Sequence, residues 1–151
     1  MARRSKKVQR SFLRNHGLGI VMGAITLLWL ALYVRTDPNT RAGAFFGNAT
    51  ADWLGSLMIV IATKYFYEIN SAESRPPHPK SRSGFTRLLV DHSLSILLVV
   101  TGAGWFLAYA RMASGGKAGT VVGNVASEWT QVLGLVVLTK YLGEKGSKEG
   151  G

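Results

Sequence analysis

Apolar residues in this chain are gathered into four runs, 15–34, 42–63, 92–110 and 118–139, which hold only two of its 26 charged side chains. The runs are 20, 22, 19 and 22 residues long. As helices rising about 1.5 Å per residue they would span roughly 28–33 Å, which matches the hydrocarbon core of a bilayer. A soluble helix of that length carries a polar stripe along one face. From Gly19 to Leu32 the only polar side chain is that of Thr26. The pattern predicts an all-α membrane protein with four transmembrane helices in a single domain, 1–151.

Composition alone would not have said so. The hydrophobic fraction of 47% and mean hydropathy of +0.15 are ordinary for a globular protein. The net charge of +10 becomes informative once it is sorted by segment. Lys and Arg number 6 before the first run, 2 after it, 5 between the second and third, 2 after the third and 3 in the tail, so alternate sides carry 14 and 4. The positive-inside rule then places both termini and the middle loop in the cytoplasm of a multi-pass protein of the inner membrane. Trp29, Tyr33, Trp105 and Tyr109 fall near the outer interface, and Tyr65, Tyr67 and Tyr141 near the inner one, where amphipathic rings settle. The basic leader resembles the start of a signal peptide, but the apolar run is too long and Tyr33-Val34-Arg35 is no cleavage site, so the first helix is expected to be retained.

Shifting the chain by 76 residues aligns 12–68 with 88–144 without a gap, and 18 of the 57 positions are identical. The matches include His16/His92, Trp29/Trp105, Tyr33/Tyr109, Asn48/Asn124, Trp53/Trp129, Lys64/Lys140 and Glu68/Glu144, which a shared apolar bias does not explain. The expectation is a tandem pair of two-helix repeats joined by a cytoplasmic linker, 69–87, that holds Pro76, Pro77 and Pro79. Each repeat crosses twice, so both hairpins are parallel and their twofold axis runs along the membrane normal.

The two charges inside the runs, Asp52 and Glu128, are equivalent in this alignment, and each is the eleventh residue of a 22-residue run. A carboxyl at mid-membrane costs a few kcal/mol and is normally turned toward a partner, a bundle interior or water. Asn48 and Asn124 precede the acids by one helical turn and share their face. The residues support three readings: the four side chains handle protons or small cations; they bond across helices as structural glue; or Asn48 to Asp52 forms an irregular or capping region of a shorter helix. His16 and His92 are expected to begin the first and third helices at the cytoplasmic face. There they could gate by protonation, bind a metal of undetermined identity, or cap the helix and contact headgroups. Gly19 and Gly23 read as a packing surface.

With no cysteine, disulfides, thiolate metal sites and thiol catalysis are excluded. No nucleophile–base pair or phosphate loop is present, so neither an enzyme nor a cofactor is expected. The basic run 1–10 lacks interleaved aromatics and precedes a span, which points to anionic headgroups as its partner and not to nucleic acid. A homo-oligomer is expected in the membrane.

The segments His16-Gly17-Leu18-Gly19-Ile20-Val21 and Gly43-Ala44-Phe45-Phe46-Gly47-Asn48-Ala49-Thr50-Ala51-Asp52-Trp53 resemble those of a family of small integral membrane proteins from actinobacteria and rhizobia. The resemblance covers 12–144 and implies membrane location but no activity. A fainter likeness to low-affinity iron permeases rests on the acid-Trp pair of the second helix. The reading that results is a small channel or transporter using Asp52 and Glu128, the alternative being a non-catalytic scaffold or accessory subunit whose polar face only packs helices.

Overall fold

A computed structural model describes residues 2–74, 84–112 and 116–142, with side chains from Asn15 onward. Five helices form within them: α1 (Ala2–Arg35), α2 (Arg41–Tyr65), α3 (Gly84–Asp91), α4 (Ser93–Arg111) and α5 (Lys117–Leu138). Four of these, all but the short α3, are long and apolar enough to cross a membrane. At most 28% of the apolar window of any of the four is buried, so most of the apolar surface faces outward. Leu18, Leu27, Leu28, Val34, Val100 and Leu107 are among the exposed side chains. An outward apolar surface of this extent suits lipid and not water.

The first hairpin is closed by specific local chemistry. Between α1 and α2, Asp37 Oδ1 accepts from the Asn39 amide at 2.9 Å, and the N-cap Thr40 hydroxyl accepts from the Gly43 amide at 3.1 Å. Gly43 lies directly against the Asp37 carbonyl, where a Cβ would collide with the backbone. Within the apolar runs, the hydroxyls of Thr26, Thr50, Thr63 and Thr101 donate to carbonyls one turn earlier at 2.7–2.9 Å. That leaves no hydroxyl proton unpaired at those positions.

The central packing pair is α2 with α5; α1 packs against α2, and α4 against α5. The buried cluster consists of Ala51 and Ala62 of α2, Leu94 and Leu98 of α4, and Val125, Trp129 and Val136 of α5. Small residues on α2 let the helices approach, and Glu128 and Val132 of α5 lie against Gly55. Trp129 ties α5 to α4: its indole Nε1 donates to Thr101 Oγ1 at 2.8 Å, and its ring sits where a Cβ on Gly102 would come within 3.1 Å. In the first hairpin Trp29 packs on Phe45 and Phe46 instead. Tyr33, only 2% exposed, lies over Gly47 and donates its hydroxyl to the Lys117 carbonyl at 2.9 Å.

Two readings need correction. His16 does not begin a helix, because α1 runs unbroken from Ala2 through the basic leader to Arg35. His92 does stand at a helix start, the break between α3 and α4, but its side chain makes no capping bond. The region from Asn48 to Asp52 is neither irregular nor a cap: α2 is continuous across it from Arg41 to Tyr65. The span 69–87 also contains the start of α3, at Gly84.

Candidate functional site

Because α2 and α5 are both unbroken and cross side by side, their one-turn Asn-to-acid spacing carries four polar side chains into a single seam. Asn124 Nδ2 donates to Asn48 Oδ1 at 2.7 Å, a bond between residues 76 positions apart. One turn further along, the Asp52 carboxyl lies close enough to that of Glu128 for their charges to interact. Gln131 Nε2 donates to Glu128 Oε1 at 3.0 Å, and Gly55, its counterpart 76 positions earlier, leaves the space that Glu128 fills. All four residues singled out by the sequence therefore converge. They are not equally covered: Asn48 and Asp52 are exposed, while Asn124 and Glu128 are half-buried. With Ser56 on α2 and Thr120, Ser127 and Gln131 on α5 also exposed, the seam opens onto a polar stripe. Asn124, Thr120, Ser127 and Thr130 continue it into a groove between α4 and α5, about 580 Å³, beside Tyr109 and Gly123.

The two histidines lie away from the seam, His16 within α1 and His92 at the α3–α4 break, each beside a lysine. Lys64 Nζ donates to the Asn15 carbonyl at 3.0 Å and lies 3.1 Å from His16 Nδ1. An ammonium only donates, so that ring nitrogen is the acceptor. His92 Nδ1 instead faces Glu68 Oε1 at 2.7 Å, and Lys140 Nζ donates to the same oxygen at 2.8 Å. The Ser95 amide donates to Glu68 Oε2 at 3.3 Å. Among the described residues no three His, Asp or Glu side chains are grouped as a metal site requires. The ammonium beside each histidine opposes a divalent cation there.

Glu68 is the residue the sequence reading passed over. It is 2% exposed, lies just beyond α2, and joins the chain after α2 to the start of α4 and the end of α5. Burial by itself pushes its carboxyl up, but the hydrogen bonds from Lys140, Ser95 and His92, with the Lys140 charge, outweigh it and hold Glu68 below the ordinary carboxylate range. The same bond to Glu68, against some desolvation, raises Lys140 above the ordinary lysine value. The one signal in the sequence was the match of Glu68 with Glu144.

Compared with protein-family models, curated proteins and solved structures, the chain matches none. The resemblance drawn from its motifs therefore lends no support to a function, which has to be argued from the seam itself.

Proposed function

We propose that this is a multi-pass inner-membrane protein, both termini cytoplasmic, built from two parallel hairpin repeats (12–68 and 88–144), and that it handles protons or small cations at the paired carboxyls of Asp52 and Glu128. The observation that carries the reading is the close approach of two acids, equivalent in the 76-residue alignment, midway along two helices long and apolar enough to span a bilayer. Two carboxyls brought side by side repel one another when both are charged, and a proton or small cation between them relieves that repulsion. Residues related by a twofold axis touch one another only near that axis, so the Asn48–Asn124 bond supports the repeat and an axis that passes between α2 and α5.

In this reading Asn48 and Asn124 fix the spacing of α2 and α5, Gln131 orients Glu128, and the exposed Asp52 is the face through which a proton or cation arrives. An exposed polar stripe cannot rest against hydrocarbon. A second copy of the chain, presenting the same stripe, supplies the cover and makes the protein a homo-oligomer. The basic leader sits on anionic headgroups of the inner leaflet.

The test is pH-driven flux in proteoliposomes, comparing wild type with Asp52→Asn and Glu128→Gln. Flux in the wild type and its loss in both variants, with normal folding, supports the reading; equal or absent flux in all three removes it. The second reading, a scaffold whose seam only packs helices, is favoured by the bonds that close the seam on itself, Asn124 to Asn48 and Gln131 to Glu128. It predicts no flux and a stability loss in either substitution.

A further inference from the structure

The face that α2 and α5 present along the seam changes character halfway. On α5 the positions roughly one turn apart read Thr120, Asn124, Ser127 and Gln131, and then Leu135 and Leu138. On α2 the same face carries Asn48, Asp52 and Ser56, and then Val60. From Leu57 to Ala62 and from Val132 to Leu138 no polar side chain occurs. At about 1.5 Å per residue these stretches are roughly 9–11 Å long. They meet in the buried cluster, which includes Ala62 and Val136, with Met58, Ile59, Val132 and Leu133 packed against it.

The polar half opens into the groove of about 580 Å³ between α4 and α5, whose wall includes Tyr109, Thr120, Asn124, Ser127 and Thr130. Asn124 belongs to groove and seam alike: it lines the one and donates to Asn48 in the other, and Glu128 follows one turn later. The hydroxyls of Thr120 and Thr130 donate to carbonyls of their own helix at 3.3 and 2.7 Å, so their oxygens keep acceptor lone pairs for water or a cation. This polarity has no counterpart in the first hairpin. The residues 76 positions before Thr120, Ser127, Thr130 and Gln131 are Ala44, Ala51, Leu54 and Gly55. Helix packing alone is served by small or apolar residues at these positions, as α2 demonstrates. Four polar side chains added to one of two matched helices, all on the half that leads to the acids, mark a path that water reaches.

We propose that protons or small cations reach the Asp52–Glu128 pair from one side of the membrane only, past Thr120, Asn124 and Ser127, and that the apolar half of α2 and α5 beyond Ser56 and Gln131 seals the pair from the other side. The open side is the one at which α2 and α5 begin, the outer side in the proposed topology. The inference rests on reading Asp52 and Glu128 as the ion-handling pair and adds the side from which they are loaded. A second copy laid over the stripe shields the route from lipid. Carriage across the membrane then requires the apolar half to part after loading, since a bare charge is costly within it.

The cysteine-free chain permits a direct test in sealed vesicles of either orientation. Thr120→Cys and Ser127→Cys, at exposed positions, and Leu135→Cys, exposed further along the same face, are treated with a membrane-impermeant methanethiosulfonate carrying a trimethylammonium group. A thiol reacts as its thiolate, which forms in water and not in hydrocarbon. From the side where α2 begins, Thr120→Cys and Ser127→Cys should react about ten-fold or more faster than Leu135→Cys, and from the other side none should react. Adding Asp52→Asn to Ser127→Cys should slow the cationic reagent several-fold and leave a neutral thiosulfonate unaffected, because a carboxylate at the end of the path draws cations in. Reaction of Leu135→Cys from the far side, silence of both Thr120→Cys and Ser127→Cys, or a cationic rate indifferent to Asp52→Asn each overturns the proposal. These rates are read without flux: if they come out as expected while the wild type carries no protons, the acids are loaded from one side without transport, and only the carriage reading falls.

Discussion

The two hairpins begin from closely matched residues and reach different surroundings. Tyr33 is 2% exposed and Tyr109 52%; Leu94 is 0% exposed and Leu18 63%. Neither difference arises within a hairpin. Tyr33 is buried because Lys117, from the other hairpin, offers its carbonyl, and Leu94 because residues 66–74 fold back on it. The pair teaches that a matched residue acquires its environment from whichever segment arrives to complete it.

The sharpest way to break that comparison is to remove the two lysines in turn. Lys140→Ala strands the buried Glu68 carboxylate and should cost about 3–5 kcal/mol, the penalty for breaking a buried pair. Lys64→Ala, at an exposed position, should cost about 1 kcal/mol or less. Denaturant titration in micelles measures both, and equal losses would mean the two ends are alike after all.

Next in size are the glycines. Gly43→Ala drives a Cβ into the Asp37 backbone and should cost about 3 kcal/mol. At Gly47 a Cβ would stand 3.0 Å from the Tyr33 ring and at Gly123 2.8 Å from the Tyr109 ring. Distance alone ranks Gly123→Ala the worse. The expected order is the reverse, because exposed Tyr109 can swing away whereas Tyr33 is buried and bonded; Gly47→Ala should cost about 1–2 kcal/mol and Gly123→Ala less. Melting temperatures of the two variants decide the order.

Particular residues mark how much of this was legible in the sequence. Four long runs with only two charges among them announced four apolar helices, because charge is costly within a membrane span and therefore rare there. The Asn-to-acid spacing placed Asn48, Asp52, Asn124 and Glu128 on matching faces, and they do converge. Nothing in the sequence distinguished His16, inside a continuous helix, from His92, at a break, since the break coincides with bonds from Tyr67, Glu68 and Ile69 to that turn. Glu68 escaped for the same reason: its partners lie 24 and 72 residues away.

A smaller effect concerns pH. Glu68 has a folded value below its unfolded one, so its contribution is complete above the ordinary carboxylate value of about 4 and is lost as pH falls through the lower folded value. Lys140, raised on folding, contributes fully below about 10.4 and loses that contribution as pH climbs through its higher folded value. The contribution of the Glu68–Lys140 pair should be level between these limits, and Glu68→Gln should flatten the acid limb of the profile.

The most direct measurement of the central claim is proton flux in proteoliposomes for wild type, Asp52→Asn, Glu128→Gln and the double variant. If the carboxyls work as one unit, each single substitution abolishes flux and the double adds nothing. Residual flux in both singles that falls further, in independent steps, in the double variant would contradict a shared site, and absence of flux in the wild type would contradict proton handling altogether.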